Sequence, residues 1–119
     1  MSTFSKNFPV NYLYFAESDV EETNDAMMIK SSNFTACDPV SGGIKLYFDN
    51  ATGSTGRETI TLACTNGNQK TVLEAFVSIL NSGSHGKEFI VVADANVANG
   101  QSATFHKAFN GLVTNCTIN

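Results

Sequence analysis

The sequence lacks tryptophan, has only two prolines and contains no long run of apolar residues. A membrane-spanning helix needs about 18 or more consecutive apolar residues, and a secretory signal needs a shorter apolar segment near the N-terminus. Neither pattern occurs in these 119 residues. The sequence therefore predicts a cytoplasmic protein that has no membrane partner.

Clusters of basic residues are also missing. Lys and Arg total 7 against 11 Asp and Glu, which gives a net charge of −4, and the basic residues stand singly along the chain. Nucleic-acid binding draws much of its free energy from contacts between Lys or Arg and phosphates. We therefore expect no nucleic-acid partner.

No catalytic, cofactor or metal motif is present. Gly86-Lys87 differs from a phosphate-binding loop because Asn81 stands where the first glycine belongs and because the segment follows a predicted helix instead of preceding one. The two histidines, His85 and His106, have no cysteine or carboxylate near them at the spacing of a metal site. The sequence predicts no cofactor, no metal and no enzymatic activity.

The sequence contains three widely spaced cysteines and no Cys-x-x-Cys pair. This pattern is typical of reduced thiols. Cys64 and Cys116 fall on apolar faces of predicted strands, and Asp38 is a negative neighbour that raises the pKa of Cys37. None of them is therefore expected to act as a nucleophile. The acidic stretch 17–25 lacks the glycine and the spacing of a calcium loop, which favours a solvated turn.

Helical periodicity is clearest over residues 69–81. Five apolar residues recur there with the spacing of one helix face: Val72, Leu73, Phe76, Ile79 and Leu80. Asn68 is the predicted N-cap, and Gly83 is the residue predicted to end the helix. Burial of this face would have to stabilise the helix, because so short a helix is marginal in water.

Strands are predicted on both sides of this helix. Residues 44–49 and 58–65 alternate as an antiparallel hairpin, and the unbroken apolar run Phe89–Ala93 is typical of a central strand buried on both faces, with the helix covering it. Further strands are predicted at 10–16, 26–30 and 112–118, and Phe34–Cys37 would continue the pairing of 26–30 after a bend. Asp38-Pro39 and Ser41-Gly42-Gly43 are the predicted turn residues that follow. We expect an α+β fold in which one helix packs on a twisted, mainly antiparallel sheet of about five or six strands. Residues 1–8 would form a flexible arm, and 9–119 would form a single domain.

The first strand, 10–16, is apolar on both faces, which indicates either an interior strand or an outer face that meets another subunit. Tyrosine combines apolar area with a polar tip and is common at interfaces. Tyr12, Tyr14 and Tyr47 are therefore candidate interface anchors. The alternative is that all three lie in the core.

The order of elements resembles that of small proteins encoded by marine tailed phages. The resemblance rests on the YLYF strand, the hairpin IKLYF to ETITL, the helix TVLEAFVSILNSG, FIVVAD and a short C-terminal strand, and it spans residues 10–118. It implies a small virion-associated or accessory protein. It carries no functional residues over to this chain.

These patterns favour a non-enzymatic structural or assembly protein that acts as a homo-oligomer or with other structural proteins. A second hypothesis is a small-ligand or carbohydrate-binding module that uses the Asn- and Thr-rich loops 50–57 and 95–104. An enzyme is the third hypothesis. It would require His85 or His106 to lie within about 3 Å of a cysteine or carboxylate.

Overall fold

The computed structural model describes residues 11–17, 26–49, 57–81, 89–97 and 102–118. These residues form two four-stranded sheets and one helix, α1 (Gln69–Leu80). Sheet I has the order β2-β1-β6-β7, and sheet II has the order β3-β4-β5-β8. In chain order the strands are β1 (Tyr12–Ala16), β2 (Ala26–Lys30), β3 (Phe34–Val40), β4 (Gly43–Asp49), β5 (Arg57–Ala63), β6 (Phe89–Asp94), β7 (Thr104–Phe105) and β8 (Asn115–Ile118).

The predicted α+β class is confirmed, but the prediction of a single sheet is wrong. The chain leaves sheet I after β2 through one 3-10 turn, Ser31–Asn33, and enters sheet II as β3. Such a short turn gave no signal of a change of sheet, because β2 and β3 read as one strand that continues after a bend. The predicted arm, 1–8, lies outside the described residues.

Sheet I is built around β1, which pairs antiparallel with β2 and parallel with β6. The strand on each side of α1 belongs to a different sheet, since β5 lies in sheet II and β6 in sheet I. Packing on the core accounts for one of the two apolar faces of β1, because Leu13 and Phe15 are fully buried there.

Sheet II contains the hairpin expected from the alternating pattern. Its register pairs Ile44 with Leu62 and Asp49 with Arg57. The predicted turn at Ser41-Gly42-Gly43 is confirmed, since the chain turns at Gly42, whose φ is 80°. The predicted turn at Asp38-Pro39 is wrong, because both residues lie in β3. Among the described strands β3 pairs only with β4, so it forms an edge of sheet II, where a proline is tolerated because no ladder hydrogen bond is needed on the outer side.

Helix α1 matches its predicted range to within one residue. Val72, Phe76 and Ile79 are its buried residues, and Leu80 is half-buried. Its principal neighbours are β3, β4 and the 3-10 turn Lys107–Phe109. It therefore packs on sheet II rather than over β6 as predicted, because it follows β5 of sheet II after a short connection.

The start of α1 is held differently from the prediction. The side chain of Asn68 makes no capping hydrogen bond in the described helix. Instead, Gln69 Oε1 accepts from the Gly67 N–H at 2.7 Å, and Gln69 Nε2 donates to the Val40 carbonyl at 3.0 Å. The predicted stop, Gly83, lies outside the described residues. The helix is 12 residues long, and no helix in the described ranges is long and apolar enough to cross a membrane.

Strand β6 is not buried on both faces as predicted. Its register shifts, so that Tyr14 pairs with Val91 but Phe15 pairs with Ala93. This bulge places Val92 and Ala93, which are both fully buried, opposite a single residue of β1. The bulge accounts for the two consecutive buried residues, Val92 and Ala93, whereas Phe89, Ile90 and Val91 alternate between the two sides of the sheet. Phe89 at the start of β6 is 57% exposed.

Candidate interaction surface

The outward side of sheet I is the candidate functional surface of this chain. Side chains alternate along β1, so Tyr12 and Tyr14 lie on the side opposite to the buried Leu13 and Phe15. Residues paired directly across a ladder share a face. Lys30 and Met28 of β2 pair with Tyr12 and Tyr14, which puts them on the same side.

On its other flank, β1 brings Phe89 and Val91 to the same side, since they pair with Tyr12 and Tyr14. The Tyr14 and Phe89 rings lie diagonally across the ladder, with centroids 5.6 Å apart and planes inclined by 41°. We call this surface the outer face of sheet I; it comprises Tyr12, Tyr14, Met28, Lys30, Phe89, Val91 and, beyond a bulge in β6, Asp94. Met28 is 55% exposed and Phe89 is 57% exposed.

Opposite charges stand at opposite corners of the outer face of sheet I. Lys30 lies on β2 beside Tyr12, and Asp94 lies on β6 beside Ala16. The β6 bulge is what returns Asp94 to the outward side. Partial burial raises the pKa of the Tyr14 hydroxyl, and the nearby Asp94 carboxylate raises it further by a smaller amount. Asp94 Oδ1 also accepts a hydrogen bond from the Asn96 N–H at 3.1 Å.

Strand β2 forms one border of this surface. Among the described strands it pairs only with β1. An open depression of about 320 Å³ lies there, lined by Tyr12, Met28, Ile29, Lys30 and Asn33. The depression has a mixed lining, since Met28 and Ile29 are apolar and Lys30 and Asn33 are polar.

The outer face of sheet II has a different character. Tyr47 lies there, half-buried, and its hydroxyl donates to Asp38 Oδ2 at 3.3 Å. Its cross-strand neighbours are Thr59 of β5 and the small Ala36 of β3, and Lys45 lies on the same side of β4. The structure thus brings Tyr12 and Tyr14 together on one surface and places Tyr47 on another.

His106 occupies a structural position in the described part of the chain. Its Nδ1 accepts from the Ala108 N–H at 3.0 Å and so caps the 3-10 turn Lys107–Phe109. Burial, and secondarily the neighbouring Lys107, lowers the pKa of the imidazole. The other histidine, His85, lies outside the described residues.

All three thiols are free and have raised pKa values. Burial, with a contribution from Asp38, raises the pKa of Cys37 to about 11. Burial, with Glu17 next in importance, raises the pKa of Cys116 to about 12. Burial also raises the pKa of Cys64. These thiols are protonated at neutral pH and are poor nucleophiles.

Among the described residues, no group of three or more His, Cys, Asp or Glu side chains is arranged to hold a metal ion. Of the loops proposed for ligand binding, 50–57 and 95–104, residues 50–56 and 98–101 lie outside the described residues. That hypothesis stays a prediction.

Sequence reasoning found the two tyrosines of the outer face of sheet I but missed Met28, Phe89, Lys30 and Asp94. Met28 and Phe89 read as core residues because they stand in apolar runs. The strand register assigns Met28, Phe89 and Lys30 to the outward side, and the β6 bulge assigns Asp94 to it. Comparison of the chain with family models, curated proteins and solved structures gave no match.

Proposed function

We propose that this chain is a non-enzymatic structural or assembly protein that acts as a homo-oligomer through the outer face of sheet I. One observation carries the proposal: Met28 and Phe89 each expose more than half of their surface beside Tyr12 and Tyr14. Contiguous exposed apolar side chains, enriched in Tyr, Phe and Met and bordered by charge, are typical of protein–protein contacts.

The dimensions of this face define the kind of association. Three strands spaced by about 4.8 Å and five residues long give a surface of roughly 14 by 17 Å. That is smaller than the roughly 800 Å² that each partner contributes to a standard stable interface. We therefore expect a concentration-dependent equilibrium between monomer and oligomer.

The assembly proposed here is virion-associated. Its support is the resemblance in element order to small proteins of marine tailed phages. Genes for capsid or tail proteins next to the gene for this chain would strengthen this part of the proposal, and a gene neighbourhood without phage genes would overturn it.

Sedimentation-velocity measurements test the oligomer. The sedimentation coefficient is measured from about 1 µM to about 1 mM, the range in which small interfaces associate. We expect the weight-average value to rise with concentration. A monomer over the whole range would overturn the proposal.

Two matched variants locate the contact. Phe89→Lys puts a charge beside Tyr14 within the proposed contact, and we expect it to shift the chain toward monomer. Val77→Lys is the control, because Val77 is a 41% exposed apolar residue on α1, away from the outer face of sheet I. Equal effects of the two variants, or none from Phe89→Lys, would show that the contact lies elsewhere.

A further inference from the structure

The corners of the outer face of sheet I carry complementary charges in an arrangement that fits a second copy of the chain. Lys30 stands in the row of Tyr12 on β2, and Asp94 stands in the row of Ala16 on β6. They are separated by about 13 Å along the strands and about 10 Å across them. Tyr14, on the middle strand and in the middle row, lies at the midpoint of this diagonal.

We propose that two copies of this chain stack through the outer face of sheet I about a twofold axis that lies in the contact and passes through Tyr14. Each Lys30 then meets Asp94 of the other copy, twice in one dimer. This inference rests on the proposed function and adds the partner's identity, its orientation and the residues that set it.

The symmetry follows from the geometry of the charges. An isologous contact requires each patch to be complementary to itself. An axis in the contact plane that crosses the Lys30–Asp94 diagonal at its midpoint and at a right angle exchanges the two corners. Lys30 of one copy then meets Asp94 of the other copy at each end. The same axis brings Tyr14 onto Tyr14 of the other copy and leaves Phe89 beside it.

The distribution of residues matches that of other protein–protein contacts. Aromatic side chains at the centre of an interface contribute most of its free energy, and charged pairs at the rim set orientation. Here Tyr14 is central, the Phe89 ring contacts it from the Tyr12 row of β6, and Lys30 and Asp94 are peripheral. With the spacings above, the strands of the two copies would cross at roughly 70°, near the orthogonal class of sheet packing.

Pairing of two β2 edges is the other way in which this sheet could meet its copy. That arrangement would use the free side of β2 and would bury Met28 and Lys30 near the contact. Asp94 would stay two strands away from it. The involvement of Asp94 therefore separates face stacking from edge pairing.

Charge-reversal variants test the proposal, with sedimentation as the measurement. Lys30→Asp alone creates two contacts between carboxylates in each dimer, and Asp94→Lys alone creates two between ammonium groups. We expect each single variant to associate at least about tenfold more weakly than the unmodified chain. An equimolar mixture of the two should recover dimers, because both pairs are then between opposite charges. Salt at about 1 M should reduce the differences between the variants, because exposed charges are screened.

The circular-dichroism spectrum of each variant checks that it folds. The milder variants Lys30→Gln and Asp94→Asn, which remove the charges without reversing them, serve as a second control. Dimers of the single variants as stable as those of the unmodified chain, or a mixture that fails to associate, would overturn the Lys30–Asp94 pairing. The homo-oligomer itself would survive that result as long as the unmodified chain still associates. If only Lys30→Asp has an effect, β2 edge pairing replaces face stacking.

Discussion

The rings of Phe34 and Phe76 meet edge to face, with centroids 5.2 Å apart and planes at 66°. Phe34 also contacts Phe48 at 5.6 Å, and Phe48 contacts Phe15 at 5.8 Å. A continuous row of aromatic contacts thus joins α1, sheet II and sheet I. These contacts fix α1 over sheet II and sheet II against the inner side of sheet I.

Truncation at the helix end of this row should be costly. Phe76 is fully buried, and we expect Phe76→Ala to lower the free energy of unfolding by about 3 to 5 kcal/mol. Urea denaturation followed by circular dichroism measures the change. Ser78→Ala, on the exposed side of the same helix, is the control and should change stability by less than about 0.5 kcal/mol. Similar losses from both variants would contradict the assignment of Phe76 to the core.

This row also shows what the sequence could predict. The helical periodicity of α1 predicts that Phe76 is buried, and the alternation along β4 predicts the same for Phe48, because each element buries one face. Phe34 was not, because its role depends on the change of sheet at Ser31–Asn33, which has no periodic signal. Local pattern predicts which side of an element is buried, while the partner element depends on long-range packing.

The close approach of β4 to β5 gives a second prediction. A Cβ at Gly43 would overlap the backbone carbonyl of Leu62, so Gly43→Ala should force the two strands apart. We expect a loss of about 1 to 3 kcal/mol in the free energy of unfolding, measured by urea denaturation.

Gly42 provides the matched control. Its φ of 80° is left-handed, but a Cβ there would meet nothing within 4 Å. Asparagine tolerates that conformation well, so Gly42→Asn should cost much less than Gly43→Ala. The reverse order of the two losses would rule out the steric explanation.

A buried amide gives a prediction of opposite sign. Asn11 is fully buried, and neither side-chain atom, Nδ2 or Oδ1, has a hydrogen-bond partner among the described residues. Its backbone is satisfied, since Asn11 N–H donates to Ser31 Oγ at 3.1 Å and its carbonyl accepts from Ser31 N–H at 2.8 Å. An unpaired buried polar group costs about 1 to 3 kcal/mol.

Asn11→Leu replaces that amide with an apolar group of similar size. We therefore expect the free energy of unfolding to rise by about 1 kcal/mol or more, measured by thermal and urea denaturation. Asn11→Asp should lower it instead, because it buries a carboxylate in the same place. A loss of stability in Asn11→Leu would show that the amide has a partner and contributes to folding.

The candidate surface was predictable only in part, and for a related reason. Tyr12 and Tyr14 alternate with Leu13 and Phe15, so a pattern within one strand assigns them to one face. Asp94 joins that face through the β6 bulge, and Lys30 joins it through its pairing with Tyr12. Neither relationship can be predicted from the local sequence. The positions of Lys30 and Asp94 on one face follow only from the strand register.

The thiol of Cys116 predicts how stability changes at high pH. Its pKa is about 12 in the folded chain, against an ordinary value of 9.0, because burial and then the Glu17 carboxylate disfavour the thiolate. Above pH 9 the unfolded chain loses this proton while the folded chain keeps it. The folded state then binds more protons, so stability falls as the pH rises. The contribution is fully present below pH 9 and is lost progressively toward pH 12, with a slope of at most about 1.4 kcal/mol per pH unit.

Urea denaturation at about pH 8, 9, 10 and 11 measures this slope, and Cys116→Ala isolates it. Other groups, including Cys37, titrate equally in both proteins, whereas the thiol at 116 titrates only in the unmodified chain. Removal of the sulfur should lower stability by a constant amount at pH 8 and below. From pH 9 upward the unmodified chain should lose stability faster, so the gap between the two proteins should narrow. A gap that stays constant to pH 11 would mean that Cys116 has the same pKa in the folded and unfolded chains and is therefore not shielded from solvent.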